Sequence, residues 1–347
     1  MKITISKKEQ FLDFDIGEDE RILYGGLAKR IPLPYECATG TCGTCKARLV
    51  SGEVTSHWDD APGRSKLKLE RGEFLMCQSS CKTNIEIKVP GIKIDQLAIE
   101  PIPKHSVGSI TNIEWLTRDV AHLSVDLNQE FNFKAGQFVV VQTETVVGGR
   151  AYSMVNYDPG TNQLVLVIKL KPDGGFSNWL GNSATIGTTL QVYGPLGAAI
   201  FEPANDKDLL CISGGSGIAG IMSILEHACS VNHFEQNRGE VYFGVRTPAD
   251  AFYMAQLSDF VARSNSNLTV TVVFSDEYAS DEHSTLPSNL NYMDGYVGPV
   301  AIESTNIAVE KASAFLAGPP IMIDGTIRSL IVEKGFGPAQ IKYDKFA

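Results

Sequence analysis

Three of the chain's seven cysteines stand in one short stretch, Cys37-Ala-Thr-Gly-Thr-Cys42-Gly-Thr-Cys45, and Cys77 follows after a long gap. The pattern is C-x4-C-x2-C…C, the plant-type [2Fe–2S] spacing, in which one tight loop supplies three thiolates and a fourth arrives from elsewhere. Gly40 and Gly43 suit that loop, because backbone wrapped around sulfide ions needs positive φ and close approach. The loop's N–H groups would point at the sulfurs and help set the potential. Four cysteines also build structural zinc sites, but those usually pair two C-x2-C knuckles, and Cys77 has no neighbour at that spacing. The expected metal ligands are Cys37, Cys42, Cys45 and Cys77, with Cys81 a bystander.

Three further stretches carry the chemistry of a flavin. Ala135-Gly136-Gln137-Phe138 enters a strand, and Arg150-Ala151-Tyr152-Ser153-Met154 puts a cation, an aromatic face and a hydroxyl close together. On a strand Arg150 and Tyr152 share a face and Ser153 points the other way. A fixed cation suits a diphosphate, the ring can cover an isoalloxazine, and the hydroxyl can hydrogen-bond it. Gly174-Gly175-Phe176-Ser177 then reads as a glycine turn opening a helix, an anion site.

A dinucleotide signature follows. Leu209-Leu-Cys-Ile-Ser-Gly214-Gly215-Ser216-Gly217-Ile-Ala-Gly220 is a buried strand running into a glycine turn and then a helix from Ile221 to His227. The usual acid at the end of the next strand is replaced by Arg246, which either packs on the adenine, meets a 2′-phosphate, or is a solvated loop cation. Ala317-Gly318-Pro319-Pro320-Ile-Met322 ends another strand in a turn, at the edge of a parallel sheet where ligands bind. The terminal aromatic Phe346 either caps the flavin or seals the domain.

The elements that must position these groups fall into three blocks. Alternation over residues 2–6 and 10–14 predicts a hairpin, Asp19–Lys29 a helix with acids in its first turn, and 46–50 and 84–89 strands. That order is a small β-grasp domain, and Pro101-Ile-Pro103 reads as a linker. Short strands at 120–125, 137–142, 163–170 and 189–192 predict an antiparallel β-barrel. From Asp208, strands at 209–212, 241–244, 268–274 and 312–316 alternate with helical segments, which predicts a parallel, Rossmann-like sheet. The expected fold is thus multidomain, α+β and α/β, with boundaries at 1–98, 99–204 and 205–347.

Composition narrows the function. The net charge is −10, yet residues 1–98 hold 15 Lys+Arg against 14 Asp+Glu, so the acidity lies in the remainder. An acidic chain without a basic stripe argues against nucleic acid, and the near-neutral first block can approach another protein without strong repulsion. There is no apolar run of about 18 residues to span a membrane. MKITISKKEQ lacks an apolar leader core, and the free-cysteine usage suits a reducing compartment, so the cytoplasm is expected. Trp58-Asp-Asp-Ala-Pro reads as an ordinary turn after the cysteine loop, with a partner contact as the alternative, and the histidines show no metal-ligand spacing.

Taken in this order, the whole chain resembles the reductase components of bacterial multicomponent oxygenases, within the ferredoxin–NADP reductase superfamily. Pro34-Tyr-Glu-Cys37, Trp58-Asp-Asp-Ala-Pro-Gly63 and Tyr343-Asp-Lys-Phe346 look most like the toluene and aromatic monooxygenase branch. The resemblance implies FAD, NADH and one [2Fe–2S] cluster on the four cysteines. It implies that Arg150 meets the FAD diphosphate, Tyr152 the isoalloxazine, and Ser153 the ring near its reactive nitrogen, these last two being the catalytic pair. Ala151, Val167, Lys169 and Gly174 to Ser177 would complete the flavin site, with Phe346 added to the cofactor-binding set. Gly214 to Gly217, Arg246, Gly318, Pro319 and Met322 would hold the dinucleotide. Two residues depart from the family pattern: Ala317 stands where Cys usually precedes Gly-Pro-Pro, and Gly220 where Pro is frequent. The expected activity is NADH-dependent electron delivery, as a monomer, to an oxygenase of aromatic hydrocarbon catabolism or to its Rieske or ferredoxin carrier. A sugar-deoxygenating dehydratase as partner, or a redox-sensing carrier module, are the alternatives.

Overall fold

The structure, a computed structural model, describes residues 1–92, 100–277 and 286–345. Two compact units divide it: Met1–Gly108 with Val139–Ala151 and Thr189–Leu196, and Ser109–Phe138 with Tyr152–Thr188 and Gly197–Ala347.

The chain opens with β1 (Lys2–Lys7), β2 (Gln10–Asp15), α1 (Ile22–Ala28), β3 (Lys46–Ser51), β4 (Val54–Ser56), β5 (Glu73–Leu75), β6 (Ser79–Cys81) and β7 (Ile85–Lys88). Five of these strands make one sheet of order β2-β1-β7-β3-β5, and β4 pairs with β6. The expected hairpin is present, with Ile3 facing Phe14 across β1 and β2, and β7 adds to β1 in parallel. The helix starts later than expected. Asp19 adopts φ 61° and Glu20 accepts the N–H of Gly17 at 2.8 Å, so the acids build the turn before α1 and its first turn holds none. Short acidic side chains favour such turns over helix interior.

Next come β8 (Lys104–Thr117), β9 (Val120–Leu127), β10 (Phe138–Gln142), β11 (Arg150–Ser153), β12 (Gln163–Lys169), α2 (Gly175–Asn182) and β13 (Thr189–Leu196). Their sheet runs β11-β10-β13-β8-β9-β12, and a bridge between Met154 and Leu166 joins its two edges into a barrel. Closure of this kind removes exposed strand edges.

The last stretch holds β14 (Asp208–Gly214), α3 (Ile218–Ser230), β15 (Gly239–Val245), α4 (Met254–Arg263), β16 (Leu268–Phe274), β17 (Asn291–Asp294), α5 (Val297–Ser304), β18 (Ala312–Gly318), α6 (Pro320–Val332) and β19 (Ile341–Lys345). The sheet is parallel, in the order β17-β16-β15-β14-β18-β19. Alternate residues of each strand go to opposite faces: Leu209, Cys211, Val241 and Phe243 pack with α3 and α4, while Leu210, Ile212, Ala314 and Leu316 pack with α5 and α6. Burial on both faces, worth about 1.5–3 kcal/mol for each large aliphatic chain, explains why these strands read as continuous apolar runs. The chain steps outward from β14 to β17 and then jumps back to β18. The carboxyl ends of β14 and β18 therefore form a topological switch point, where such sheets leave a crevice.

Candidate functional site

The loop between α1 and β3 carries three of the four cysteines. Gly40 and Gly43 take φ 89° and 82°, as the sequence requires, and Ala38 also sits at φ 55°. Tyr24 of α1 donates its hydroxyl to the Ala38 carbonyl at 3.0 Å and so holds the loop from below. The sulfurs gather as two pairs, Cys37–Cys42 with Sγ atoms 3.2 Å apart and Cys45–Cys77 at 3.1 Å. Backbone N–H groups of Thr39 and Cys42 point at Cys37 Sγ, and that of Thr44 at Cys42 Sγ. Among the described residues no three His, Cys, Asp or Glu side chains converge as a single-ion site. Two thiolate pairs with N–H donors fit a two-iron unit, one pair per iron, better than one tetrahedral zinc.

The thiols also act on one another. The hydrogen bond from Cys42 lowers the pKa of the Cys37 thiol, while that of Cys42 is pushed up. Its bond with Cys45, burial and the nearby charges of Cys45, Cys37 and Cys42 raise Cys77. Four thiols this close cannot all ionise unless a cationic unit sits among them. Cys81 lies apart, buried on β6 opposite Val54.

On β11, Arg150, Ala151 and Tyr152 are half-buried and Ser153 is buried. Ser153 is 4% exposed and its Oγ has no hydrogen-bond partner among the described residues. An orphaned buried hydroxyl is costly unless a ligand atom meets it, so this atom fits a flavin ring. Arg150 makes no ion pair among the described residues, which leaves its charge for a diphosphate. The Tyr152 ring lies 5.4 Å from that of Phe176, the second residue of α2. Gly174 is the N-cap of α2 with no side-chain cap, and Gly175 opens the helix, an arrangement that fits an anion. Ser177 instead spends its Oγ on the N–H of Lys171 at 3.0 Å. Two residues of the expected set are otherwise engaged: the Val167 side chain belongs to the apolar core, and Lys169 Nζ binds Asp119 Oδ2 at 2.8 Å.

At the switch point, Gly214 to Gly217 turn from β14 into α3, whose N-terminus has no side-chain cap. Gly217 lies against β18 so closely that a Cβ would fall 2.3 Å from the Ala317 carbonyl oxygen. Met322, in the first turn of α6, and Pro319 border Gly214, so the two loops face one crevice. Gly220 of α3 borders Ser153, where a Cβ would come 3.4 Å from the serine Cβ. The strand with the flavin residues therefore touches the helix that follows the dinucleotide turn. Ala317 is 5% exposed on β18 and presents backbone to Gly217, so no thiol stands at this point. Arg246 follows β15 and donates to Asp250 Oδ1 at 3.0 Å, with Asp119 Oδ2 at 3.7 Å. Burial pushes the Asp119 carboxyl up, but Lys169 and Arg246 outweigh it and hold the group low and ionised. Phe346 lies outside the described residues.

Sequence reasoning missed three contributors. Trp58, read as an ordinary turn residue, lies under the Arg150 guanidinium. Arg21 donates to the Cys77 carbonyl at 3.4 Å and, at 2.9 and 3.2 Å, to the Gln142 side-chain oxygen once that amide is turned to satisfy both. Asp119 joins Lys169 to Arg246. A Trp beside two acids and a proline was the one available signal.

Comparison with known proteins finds three cofactor-binding domains in the order expected from the sequence. A 2Fe-2S iron-sulfur cluster binding domain model matches residues 4–82, an oxidoreductase FAD-binding domain model 108–201, and an oxidoreductase NAD-binding domain model 211–328. The ferredoxin–NAD(P)(+) reductase CarAd of Metapseudomonas resinovorans is 31% identical over 95% of both chains. The ferredoxin–NAD(+) reductase component of the alkene monooxygenase system of Xanthobacter autotrophicus is 28% identical over 96% of this chain and 97% of that one. The solved ferredoxin reductase in carbazole 1,9a-dioxygenase superposes with a TM-score of 0.83 at 28% identity, covering 100% and 99% of the two chains. The chain belongs to the ferredoxin–NAD(P)(+) reductases. It is an oxidoreductase that passes electrons from a reduced nicotinamide dinucleotide through FAD and a [2Fe–2S] cluster.

Proposed function

We propose that this protein is the NADH-oxidising reductase of an oxygenase system, with single electrons leaving through the cluster on Cys37, Cys42, Cys45 and Cys77. The observation that carries the reading is the two-by-two pairing of those sulfurs on a chain that also holds a flavin strand and a dinucleotide crevice. FAD, when bound, takes electrons in pairs from NADH and passes them on singly, and the protein supplies position and electrostatics. Arg150 binds the diphosphate, Ser153 Oγ hydrogen-bonds the ring, and Tyr152 covers it against water. Gly174 and Gly175 open α2 as an anion-binding helix start of their own. Gly214 to Gly217 hold the dinucleotide pyrophosphate at the N-terminus of α3, and Gly318, Pro319 and Met322 border the nicotinamide. The small Ala317 leaves that ring to be placed by backbone and Met322.

Two carboxylates flank Arg246, and they support NADH over NADPH. Asp250 and Asp119 already engage Arg246 at the end of β15, in a cluster that Lys169 and Arg118 complete, so the guanidinium is committed within the protein rather than held open for a 2′-phosphate. Replacement Asp119→Asn is expected to raise kcat/KM for NADPH about 5-fold and leave NADH within about 2-fold, the scale of one partly exposed charge pair. An unchanged ratio of the two cofactors would contradict the assignment. Arg150→Ala is expected to release FAD on dilution, with flavin fluorescence rising about 10-fold more than in wild type, since a charged bond to a phosphate is worth about 1.5–3 kcal/mol. Retention equal to wild type would move the diphosphate elsewhere.

The oxygenase-system relatives support an oxygenase or its ferredoxin as the electron acceptor: they include reductase components of an alkene monooxygenase system and a naphthalene 1,2-dioxygenase system, and the electron transfer component of the xylene/toluene monooxygenase of Pseudomonas putida. Three domains, at 1–98, 99–204 and 205–347, and a cytoplasmic monomer complete the reading. Among the described residues no helix is long and apolar enough to cross a membrane. Mixing the protein with NADH and the oxygenase and ferredoxin components of an aromatic system tests it. Product formed in step with NADH oxidation is expected; electron delivery to a dehydratase alone would contradict it.

A further inference from the structure

Arg150 is a long, flexible side chain at a point that needs a fixed cation. Ordering such a chain on binding costs up to about 2 kcal/mol, so whatever fixes it beforehand strengthens ligand binding. Its Nη1 donates to the Gly149 carbonyl at 3.0 Å, which restrains one end of the fork. The face of the guanidinium lies over the Trp58 indole, with Cζ 5.3 Å from the ring centroid. Gly148 seats the ring: at φ 76°, a Cβ there would fall 2.6 Å from Trp58 Cε3 and 3.3 Å from Arg150 Nη1.

Trp58 is itself held by the cysteine loop. The neighbouring His57 N–H donates to the carbonyl of Gln78, next to Cys77, at 2.8 Å. Beyond the tryptophan, Gly63 N–H donates to the Gly40 carbonyl at 2.8 Å and Lys66 Nζ to the Cys42 carbonyl at 2.8 Å. Both ends of the segment that presents the indole are thus tied to the backbone around the cysteines.

We infer that Trp58 is a positioning residue of the flavin site: its indole face holds the Arg150 guanidinium ready for the FAD diphosphate, so flavin affinity depends on the segment that covers the cysteine loop. This rests on the reading that Arg150 meets the diphosphate. By linkage, a loop ordered by its cluster strengthens flavin binding, and bound flavin steadies the loop in return.

The test is FAD dissociation from the full-length holoprotein on dilution, for wild type, Trp58→Ala, Trp58→Phe, Arg150→Ala and the double variant Trp58→Ala/Arg150→Ala. Cluster absorbance per chain is read in the same samples. Trp58→Ala is expected to weaken FAD about 3- to 30-fold, the range of a cation–π contact, and Trp58→Phe to restore most of it. Adding Trp58→Ala to Arg150→Ala should cost nothing more, because the indole acts through the guanidinium. Wild-type affinity in Trp58→Ala beside weakened Arg150→Ala overturns the inference and leaves the diphosphate reading standing. Full retention in Arg150→Ala overturns that reading itself. Loss of cluster absorbance together with FAD in Trp58→Ala, or additive losses in the double variant, assigns Trp58 a general structural role and also overturns the inference.

Discussion

Cys42→Ser is expected to cut NADH-driven reduction of a one-electron protein acceptor by about 100-fold, because losing a thiolate ligand weakens or empties the site. Cys42 lies 3.2 Å from Cys37 and accepts the Thr44 N–H, so it anchors one of the two sulfur pairs. Serine offers a harder, shorter oxygen in a loop shaped for sulfur, and iron in such clusters is held by soft thiolates. Ferricyanide, a small strong oxidant that can take electrons at the flavin, should still be reduced within about 2-fold of wild type, since the flavin strand and the dinucleotide turn are untouched. The variant should stay yellow and lose its brown absorbance. An equal fall in both activities would contradict the proposed order of electron flow.

Gly217→Ala is expected to raise the KM for NADH about 10-fold or more, with FAD and cluster absorbance retained. The new Cβ would meet Ala317 carbonyl oxygen at 2.3 Å and its carbon at 2.6 Å, both backbone atoms that cannot swing aside. The turn after β14 must then move away from β18, which misplaces the N–H groups aimed at the pyrophosphate. Overpacking of this kind typically costs about 1–3 kcal/mol, and about 1.4 kcal/mol is tenfold in affinity. Gly220→Ala makes the comparison sharp, because its Cβ would reach only ordinary contact, 3.4 Å from Ser153. If Gly220→Ala raised KM as much as Gly217→Ala, close approach to Ala317 would not be the cause.

Much of this was legible in the sequence where the signal is local or periodic. The cysteine spacing reflects a loop that must present three sulfurs at once, and the structure forms it with Gly40 and Gly43 at positive φ. The apolar runs at Leu209–Ile212 and Ala312–Leu316 are strands buried on both faces, and alternation placed Arg150 and Ser153 on opposite sides of β11. The edge strands β17 and β19 escaped notice, being short and covered on fewer sides. Asp19 and Glu20 look in sequence like a favourable first turn of α1, yet they form the turn before it. Contacts between distant side chains left no pattern: nothing in the spacing of Trp58 and Arg150, of Arg21 and Gln142, or of Asp119 and Arg246 announces that they meet. Lys169 and Val167 show the reverse, since their strand positions were right while one side chain pairs with Asp119 and the other fills the core.

The central claim is that one polypeptide accepts electrons in pairs at its flavin strand and releases them singly at its cysteine loop. Rapid mixing of the oxidised protein with one equivalent of NADH, with the flavin and cluster absorbances followed together, tests it most directly. The account predicts that the flavin band falls first and the cluster band follows, and that the cluster stays oxidised in flavin-depleted protein. Cluster reduction by NADH at an undiminished rate without flavin, or a fully reduced flavin beside a cluster that never accepts an electron, would contradict it.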